Sequence, residues 1–170
     1  MQIDKYERKI LEILQEDAQI STVDLAAKVG LSQSPCWRRV ASLEQAGIIR
    51  KRVALLDRKK VGLSTQVFAQ VKLSATGRAN LAEFEIAISE IPEVIECFVL
   101  MGNMDFLLRV VTVDVEAYER LFFERLSHLP GVQEITSSIA LSEIKSTTAL
   151  PLPFDLGAGS GSSGREKAER

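Results

Sequence analysis

The stretch Ser21–Gly47, STVDLAAKVGLSQSPCWRRVASLEQAG, reads as a helix, a tight turn and a second helix. Ser21 is placed to cap the first helix, and Val23, Leu25, Ala26 and Val29 supply its apolar face. Gly30 suits the left-handed conformation that closes a helix C-terminus, with Leu31 following as a plug in the turn. Ser34 offers a second N-cap, with Pro35 at the first helical position, where a missing N–H costs nothing. Trp37, Val40, Leu43 and Ala46 form the buried and boundary face of the second helix, while Arg38 and Arg39 project from its first turns. A polar, Arg-bearing helix start behind a capped turn is a shape that the DNA major groove accepts.

Working outward, a first helix is expected from Asp4 to about Gln15. Asp4 and Glu7 have capping-box spacing, and Tyr6, Ile10, Leu11, Ile13 and Leu14 make a helical apolar stripe. Residues 1–50 thus form a three-helix head. Residues 48–63 mix apolar residues with Arg50, Lys51 and Arg52 and read as a strand or short hairpin, giving a hinge over 51–65. From Gln66 the period changes, and Val67, Ala69, Val71 and Leu73 alternate as in a strand. A loop over 74–77 leads to a helix carrying Leu81, Phe84, Ile88 and Ile91. Strands follow over 94–100 and 106–113, joined by the hairpin loop Met101-Gly102-Asn103-Met104-Asp105. A helix over 115–129 ends at Pro130-Gly131, and a last strand runs over 132–144.

This order, βαββαβ, predicts an α+β chain in which a winged-type helix-turn-helix head joins, through a strand hinge, a ferredoxin-like domain over 66–152. Right-handed crossovers place both helices on one face of the sheet. The other face must be covered, and a second copy of the same sheet is the simplest cover, so a homodimer is expected. Residues 153–170 are rich in Gly and Ser before a charged end and read as a flexible tail.

The chain has 170 residues and a formal net charge of −2. The charge is uneven: residues 1–61 carry +4 and residues 62–170 carry −6. A basic front half suits a polyanion, and Arg38, Arg39, Arg50, Lys51, Arg52, Arg58, Lys59 and Lys60 cluster in and behind the second helix of the motif. No apolar run approaches the ~20 residues of a membrane span, and no secretory signal is visible. Cys36 and Cys97 lie far apart in apolar segments and read as free, buried thiols of a reducing cytoplasm. No metal-ligand spacing, nucleotide loop or catalytic triad is present, and the lone His128 sits at a helix end, where a cation suits the dipole. The expected chain is therefore neither an enzyme nor a cofactor carrier.

In this order, the strings IDKYERKILEILQEDAQIS, VDLAAKVGLSQSPCWRRVASLEQAGII, VALLDRKKVGL, MGNMDFLLRV and LPGVQEITSSIALSEIKSTTALPL resemble the Lrp/AsnC (feast/famine) regulators over residues 2–152. SPCWRRV, VALLD and IKSTTALPL are similar to a cysteine-responsive subgroup. The resemblance implies a cytoplasmic, nucleoid-associated transcription regulator whose dimers assemble into tetramers, octamers or hexadecamers. It implies double-stranded DNA as partner and a small effector, usually an amino acid. On the family pattern, Ser32, Gln33, Ser34, Trp37, Arg38 and Arg39 are the DNA-reading residues, and Gly102 and Asp105 match the glycine and acidic residue of the effector loop, while Asn103 and Met104 stand where the family often has an acidic residue and an aromatic. Met101 and Asn103 beside them, with Thr136 and Ser138 on one face of the last strand, complete the candidate effector residues. Arg38 is the favoured base-edge reader. Asp105 has the charge to hold a ligand ammonium. Against these stand plainer roles: Arg39 in a salt bridge across the head, Trp37 in packing, Gly102 and Asp105 in a hairpin turn, and Thr136 and Ser138 as ordinary strand residues. Two other functions use the same features: a nucleoid organiser of low sequence specificity, and a metabolite-sensing module with an inert head.

Overall fold

The computed structural model describes residues 3–153. The chain divides into two compact units. One comprises the described parts of Met1–Ala54 and Ser146–Arg170, and the other is Leu55–Lys145. The expected tail lies outside the described residues from position 154 onward.

The first unit is built on α1 (Lys5–Glu16), α2 (Thr22–Val29) and α3 (Gln33–Gln45). Asp4 caps α1 in a reciprocal box: its Oδ1 accepts from the Glu7 N–H at 2.9 Å, and Glu7 Oε2 accepts from the Asp4 N–H at 3.0 Å. Ser21 caps α2 by accepting from the Asp24 N–H at 3.1 Å. Gly30 closes it with φ 82° and ψ 37°, a conformation that glycine adopts without a Cβ penalty. The turn then delivers α3, which starts earlier than its expected cap. Ser32, not Ser34, stands at the N-cap, and Pro35 occupies the third helical position. The ring is tolerated there because every first-turn N–H of a helix lacks an intrahelical partner.

Ile10, Leu11, Leu25, Ala26, Val29, Cys36, Val40 and Leu43 form the core of this unit. Val23 is out of phase with Leu25, Ala26 and Val29 and is 59% exposed, contrary to its expected place on the buried face. The chain's C-terminal segment completes the unit. The Leu150 N–H donates to Gln15 Oε1 at 2.6 Å, Gln15 Nε2 donates back to the Leu150 carbonyl at 3.3 Å, and Leu152 packs against the core.

The expected hinge strand does not form within the chain. Residues 50–57 form neither helix nor ladder, and among the described residues the main-chain groups of 50–56 have no main-chain partner. A ladder needs a second edge, which this segment lacks. Val53, Leu55 and Leu56 are exposed along it.

The second unit contains β1 (Thr65–Leu73), α4 (Ala75–Ala79), α5 (Leu81–Ser89), β2 (Val94–Val99), β3 (Phe106–Thr112), α6 (Val115–Glu124) and β4 (Val132–Ile139). The strand order is β2-β3-β1-β4 with antiparallel neighbours, the ferredoxin-like arrangement. Val67, Ala69, Val71 and Leu73 point one way from β1 and pack with Phe84, Ile88, Tyr118 and Leu121 from the helices. The opposite face shows Phe68, Gln70, Leu107, Arg109 and Phe98, with Phe98 half-exposed.

Local differences from the sequence reading have physical causes. The expected loop before α5 winds into the short helix α4, because Ser74 accepts from the Gly77 N–H as an N-cap. The long helix after β3 breaks at Arg125, whose φ of −130° is not helical, and continues as a 3-10 turn, Leu126–His128. The last strand ends at Ile139 rather than Ile144. Cys36 is buried as expected, but Cys97 is exposed because β2 is an edge strand.

Gly77 and Gly131 meet backbone to backbone. A Cβ on Gly77 would lie 2.5 Å from the Gly131 carbonyl oxygen and 2.7 Å from its Cα. Gly77→Ala is expected to destabilise the protein by about 1–3 kcal/mol, the usual range for overpacking, measured as a fall in Tm. Gly102→Ala, where a Cβ would meet nothing within 4 Å and φ is ordinary, is expected to leave Tm unchanged.

Candidate DNA-reading helix and effector hairpin

Cys36, Val40 and Leu43 turn one side of α3 into the core. At helical spacing, the opposite side carries Ser34, Arg38, Ala41 and Gln45. Ser32, Gln33 and Ser34 are exposed at the helix start, and the Ser32 side chain makes no cap bond. The unpaired N–H groups of that first turn therefore face outward, with the positive end of the helix dipole behind them. Arg38 is exposed and has no hydrogen bond or ion pair among the described residues.

Arg39, its neighbour, is differently placed. Its Nη1 donates to Asp4 Oδ2 and lies 3.6 Å from Glu7 Oε1, and its guanidinium sits 5.5 Å from the Tyr6 ring centroid. Arg39 thus pins α3 to the start of α1. The Asp4 carboxyl sits below its ordinary range: burial pushes it up, and the Glu7 amide and the Arg39 guanidinium outweigh that push. Trp37 was expected on the buried and boundary face but is 60% exposed. It borders an open groove of about 470 Å³ with Ile20, Thr22, Leu25, Ala41 and Arg52.

The basic cluster divides the same way. Arg52 donates to Glu44 Oε1 at 3.0 Å and to the Ala18 carbonyl at 3.4 Å. Arg58 donates to the carbonyls of Leu63 and Ser64, at 2.9 and 2.7 Å, and shapes the turn after the hinge. Arg50, Lys51 and Lys59 remain exposed.

In the second unit, the β2–β3 hairpin closes where the Leu100 N–H donates to the Asp105 carbonyl at 2.8 Å. Met101, Gly102 and Asn103 at its tip are exposed. Asp105 is held on three sides. Its N–H donates to the Val71 carbonyl at 2.9 Å, its Oδ2 accepts from the Leu73 N–H at 2.7 Å, and its Oδ1 accepts from Arg78 Nε at 2.9 Å. The Arg78 guanidinium and the Leu73 amide hold its carboxyl below the usual carboxylate range. The carboxylate expected to take a ligand ammonium is thus engaged inside the chain.

Thr136 and Ser138 do share a face of β4, in register with Gln70 and Phe68 of β1. β1 separates them from β3, whose first residue, Phe106, lies opposite Val71. A single chain therefore does not gather these hydroxyls and the hairpin tip into one site. Arg78 is the residue that sequence reasoning missed. It falls between the 74–77 loop and the helix residues that begin at Leu81, and only the fold brings it to the hairpin. His128 is paired with its neighbour, Nδ1 to Ser127 Oγ at 3.1 Å. Among the described residues no cluster of His, Cys, Asp and Glu could hold a metal ion, and no helix is long and apolar enough to cross a membrane.

Residues 3–50 match a winged helix-turn-helix DNA-binding model, and residues 66–150 match the Lrp/AsnC ligand binding domain. The chain is 37% identical over 150 residues to the DNA-binding transcriptional activator DecR of Escherichia coli K12, covering 88% of this chain and 99% of that protein. It is 36% identical over 150 residues to the transcriptional regulator AzlB of Bacillus subtilis, covering 88% and 96%. Among solved structures, an AsnC family transcriptional regulator from Agrobacterium tumefaciens superposes with a TM-score of 0.82 at 42% identity. An L-Met complex of a transcriptional regulator from Neisseria meningitidis gives 0.83 at 40%. Each of these two matches covers 87% of this chain and 96% of the other.

The two adjacent arginines should separate in a stability measurement. Arg39→Ala is expected to lower stability by up to about 1 kcal/mol, as for a partly exposed ion pair, whereas Arg38→Ala should leave Tm unchanged. Asp105 should also leave a mark on acid unfolding. Its depressed native pKa contributes stability that is complete above the unfolded value of about 3.9 and is lost as pH falls through the lower native value. Asp105→Asn is expected to flatten the acid limb of the stability–pH curve in that window.

Proposed function

The chain belongs to the Lrp/AsnC family of DNA-binding transcriptional regulators, and we propose that it reads a pseudo-palindromic site on double-stranded DNA under the control of an amino acid. The observation that carries the DNA reading is the contrast within α3. Arg39 is locked to α1, while Arg38, one residue earlier, stands exposed and unpaired on the face opposite the core. Arg38 has the geometry to donate two hydrogen bonds to a guanine edge. Ser32, Gln33 and Ser34, with the free first-turn amides, suit phosphate oxygens and fix the depth of insertion. Trp37 flanks them with an apolar surface. Arg50 and Lys51 add sequence-independent attraction to the backbone.

The working unit is a homodimer. The sheet face opposite the helices carries Phe68, Leu107 and Phe98 and is the natural seat for a second copy. Two heads then read two half-sites one helical turn apart or a multiple of it. Dimers assemble further, to an octamer on the family pattern. Since β1 separates Thr136 and Ser138 from the hairpin tip, joining them in one effector site requires hairpins and strands from different subunits. An effector that prefers one assembly then shifts the population of DNA-binding geometries. The protein acts by binding rather than by catalysis, in the cytoplasm and at the nucleoid, where its DNA partner lies.

A gel-shift titration on the cognate promoter and on random DNA, at one stated salt concentration, tests the head. The wild-type chain is expected to prefer the promoter, and Arg38→Ala to lose about 1–3 kcal/mol of that preference, roughly a 5- to 150-fold loss. Lys51→Ala should weaken both DNAs equally and reduce the salt slope by about 1. Equal affinity of the wild-type chain for both DNAs would favour a nucleoid organiser instead. A thermal-shift screen against the twenty amino acids tests the effector. It should begin with L-cysteine, from the SPCWRRV resemblance, and L-methionine, the ligand in the Neisseria complex.

A further inference from the structure

We propose that Arg78, oriented by Asp105 at the base of the β2–β3 hairpin, is a ligand-binding residue that takes the carboxylate of a small amino acid through its two outer nitrogens. This rests on the effector reading above and changes which end of the ligand the chain holds by charge.

The Arg78–Asp105 pair is not the usual two-pronged fork. An arginine facing a carboxylate often makes two parallel N–H···O bonds. Here only Arg78 Nε reaches Asp105, at 2.9 Å, and the second carboxylate oxygen accepts the Leu73 N–H at 2.7 Å. The outer edge of the guanidinium, Nη1 and Nη2, has no partner among the described residues, and the side chain is 50% exposed. That edge is planar, always charged and shaped for a second carboxylate.

Anchoring the hairpin does not require the arginine. The Asp105 N–H to Val71 and the Leu73 N–H to Asp105 already tie the hairpin to β1. What the ion pair adds is a fixed guanidinium, which lowers the ordering cost of a second bond. The surrounding charge agrees. Lys72 places a further positive charge close enough to act on Asp105, and its register partner Glu134 forms no ion pair with it. The hairpin tip, Met101 to Met104, contains no carboxylate. Gly102, at that tip, has an ordinary φ and nothing within 4 Å of an added Cβ, so the space beside it is open to an arriving molecule.

The test uses the full chain and, as probes, each of the twenty amino acids with its carboxamide, scored by thermal shift and then by calorimetric titration. The wild-type chain should bind its amino acid at least tenfold more tightly than the carboxamide. Arg78→Gln should remove that preference, and Arg78→Lys should restore part of it. A purely structural role for Arg78 would weaken acid and amide alike and leave their ratio unchanged, which would overturn the proposal. So would a wild-type chain that binds acid and amide equally. If no amino acid binds the wild-type chain at millimolar concentration, the effector reading fails first and this proposal falls with it.

Discussion

The register of β1 is the constraint on which the second unit depends. Val67, Ala69, Val71 and Leu73 are all fully buried, and β1 pairs with β3 on one side and β4 on the other. Side chains alternate across a strand, so a slip of one residue would turn all four toward the open face and Phe68, Gln70 and Lys72 toward the helices. The same register sets the hairpin. Val71 accepts from the Asp105 N–H, and Leu73 donates to the Asp105 carboxylate. The position of a polar loop is therefore fixed by an apolar pattern one strand away. The Gly77–Gly131 contact closes the same end of the sheet, bringing α4 against the start of β4 at a distance that no side chain permits.

Charge plays two parts in this chain, and neighbouring residues divide them. Arg39, Arg52 and Arg58 are bonded to carboxylates or carbonyls of the chain and act as fasteners. Arg38, Arg50 and Lys51 are left to solvent. Composition alone counts all six as one basic patch. For Arg38 and Arg39 the separation follows from helix phase in α3, where one step along the chain carries a side chain from the exposed face to the edge of the core. A surface that recognises a polyanion needs both kinds, since exposed cations are useful only on a helix whose own position is secured.

Much of the architecture was legible in the sequence. The capping box at Asp4 and Glu7, the Ser21 cap, the Gly30 turn and the alternation in β1 are local signals, and each appears in the structure where the pattern placed it. The misses share a cause. Ser32 rather than Ser34 stands at the N-cap position of α3, because a proline is compatible with any position in a helix's first turn. The 50–57 segment has strand composition but no second edge, and composition does not supply a partner. Cys97 alternates as a buried residue would, yet β2 lies at the sheet's rim. Among the candidate site residues, those of the head lie close together in sequence, so the helix start that carries them was readable. Arg78 was not, because its link to Asp105 spans 27 positions and exists only once β1, β3 and α4 are assembled.

The pairing of Gln15 with Leu150 bears on how the chain is made. These residues are 135 positions apart, and Leu152 packs on a core otherwise drawn from the first 50 residues. The head leaves the ribosome first, but its last apolar cover is synthesised after the whole sheet domain. The nascent head must wait with that flank of its core uncovered until Leu150 and Leu152, beyond the last strand, have been released. The domain that emerges first is thus the one finished last, and any shortening of the chain before position 150 is felt at the opposite end of the sequence.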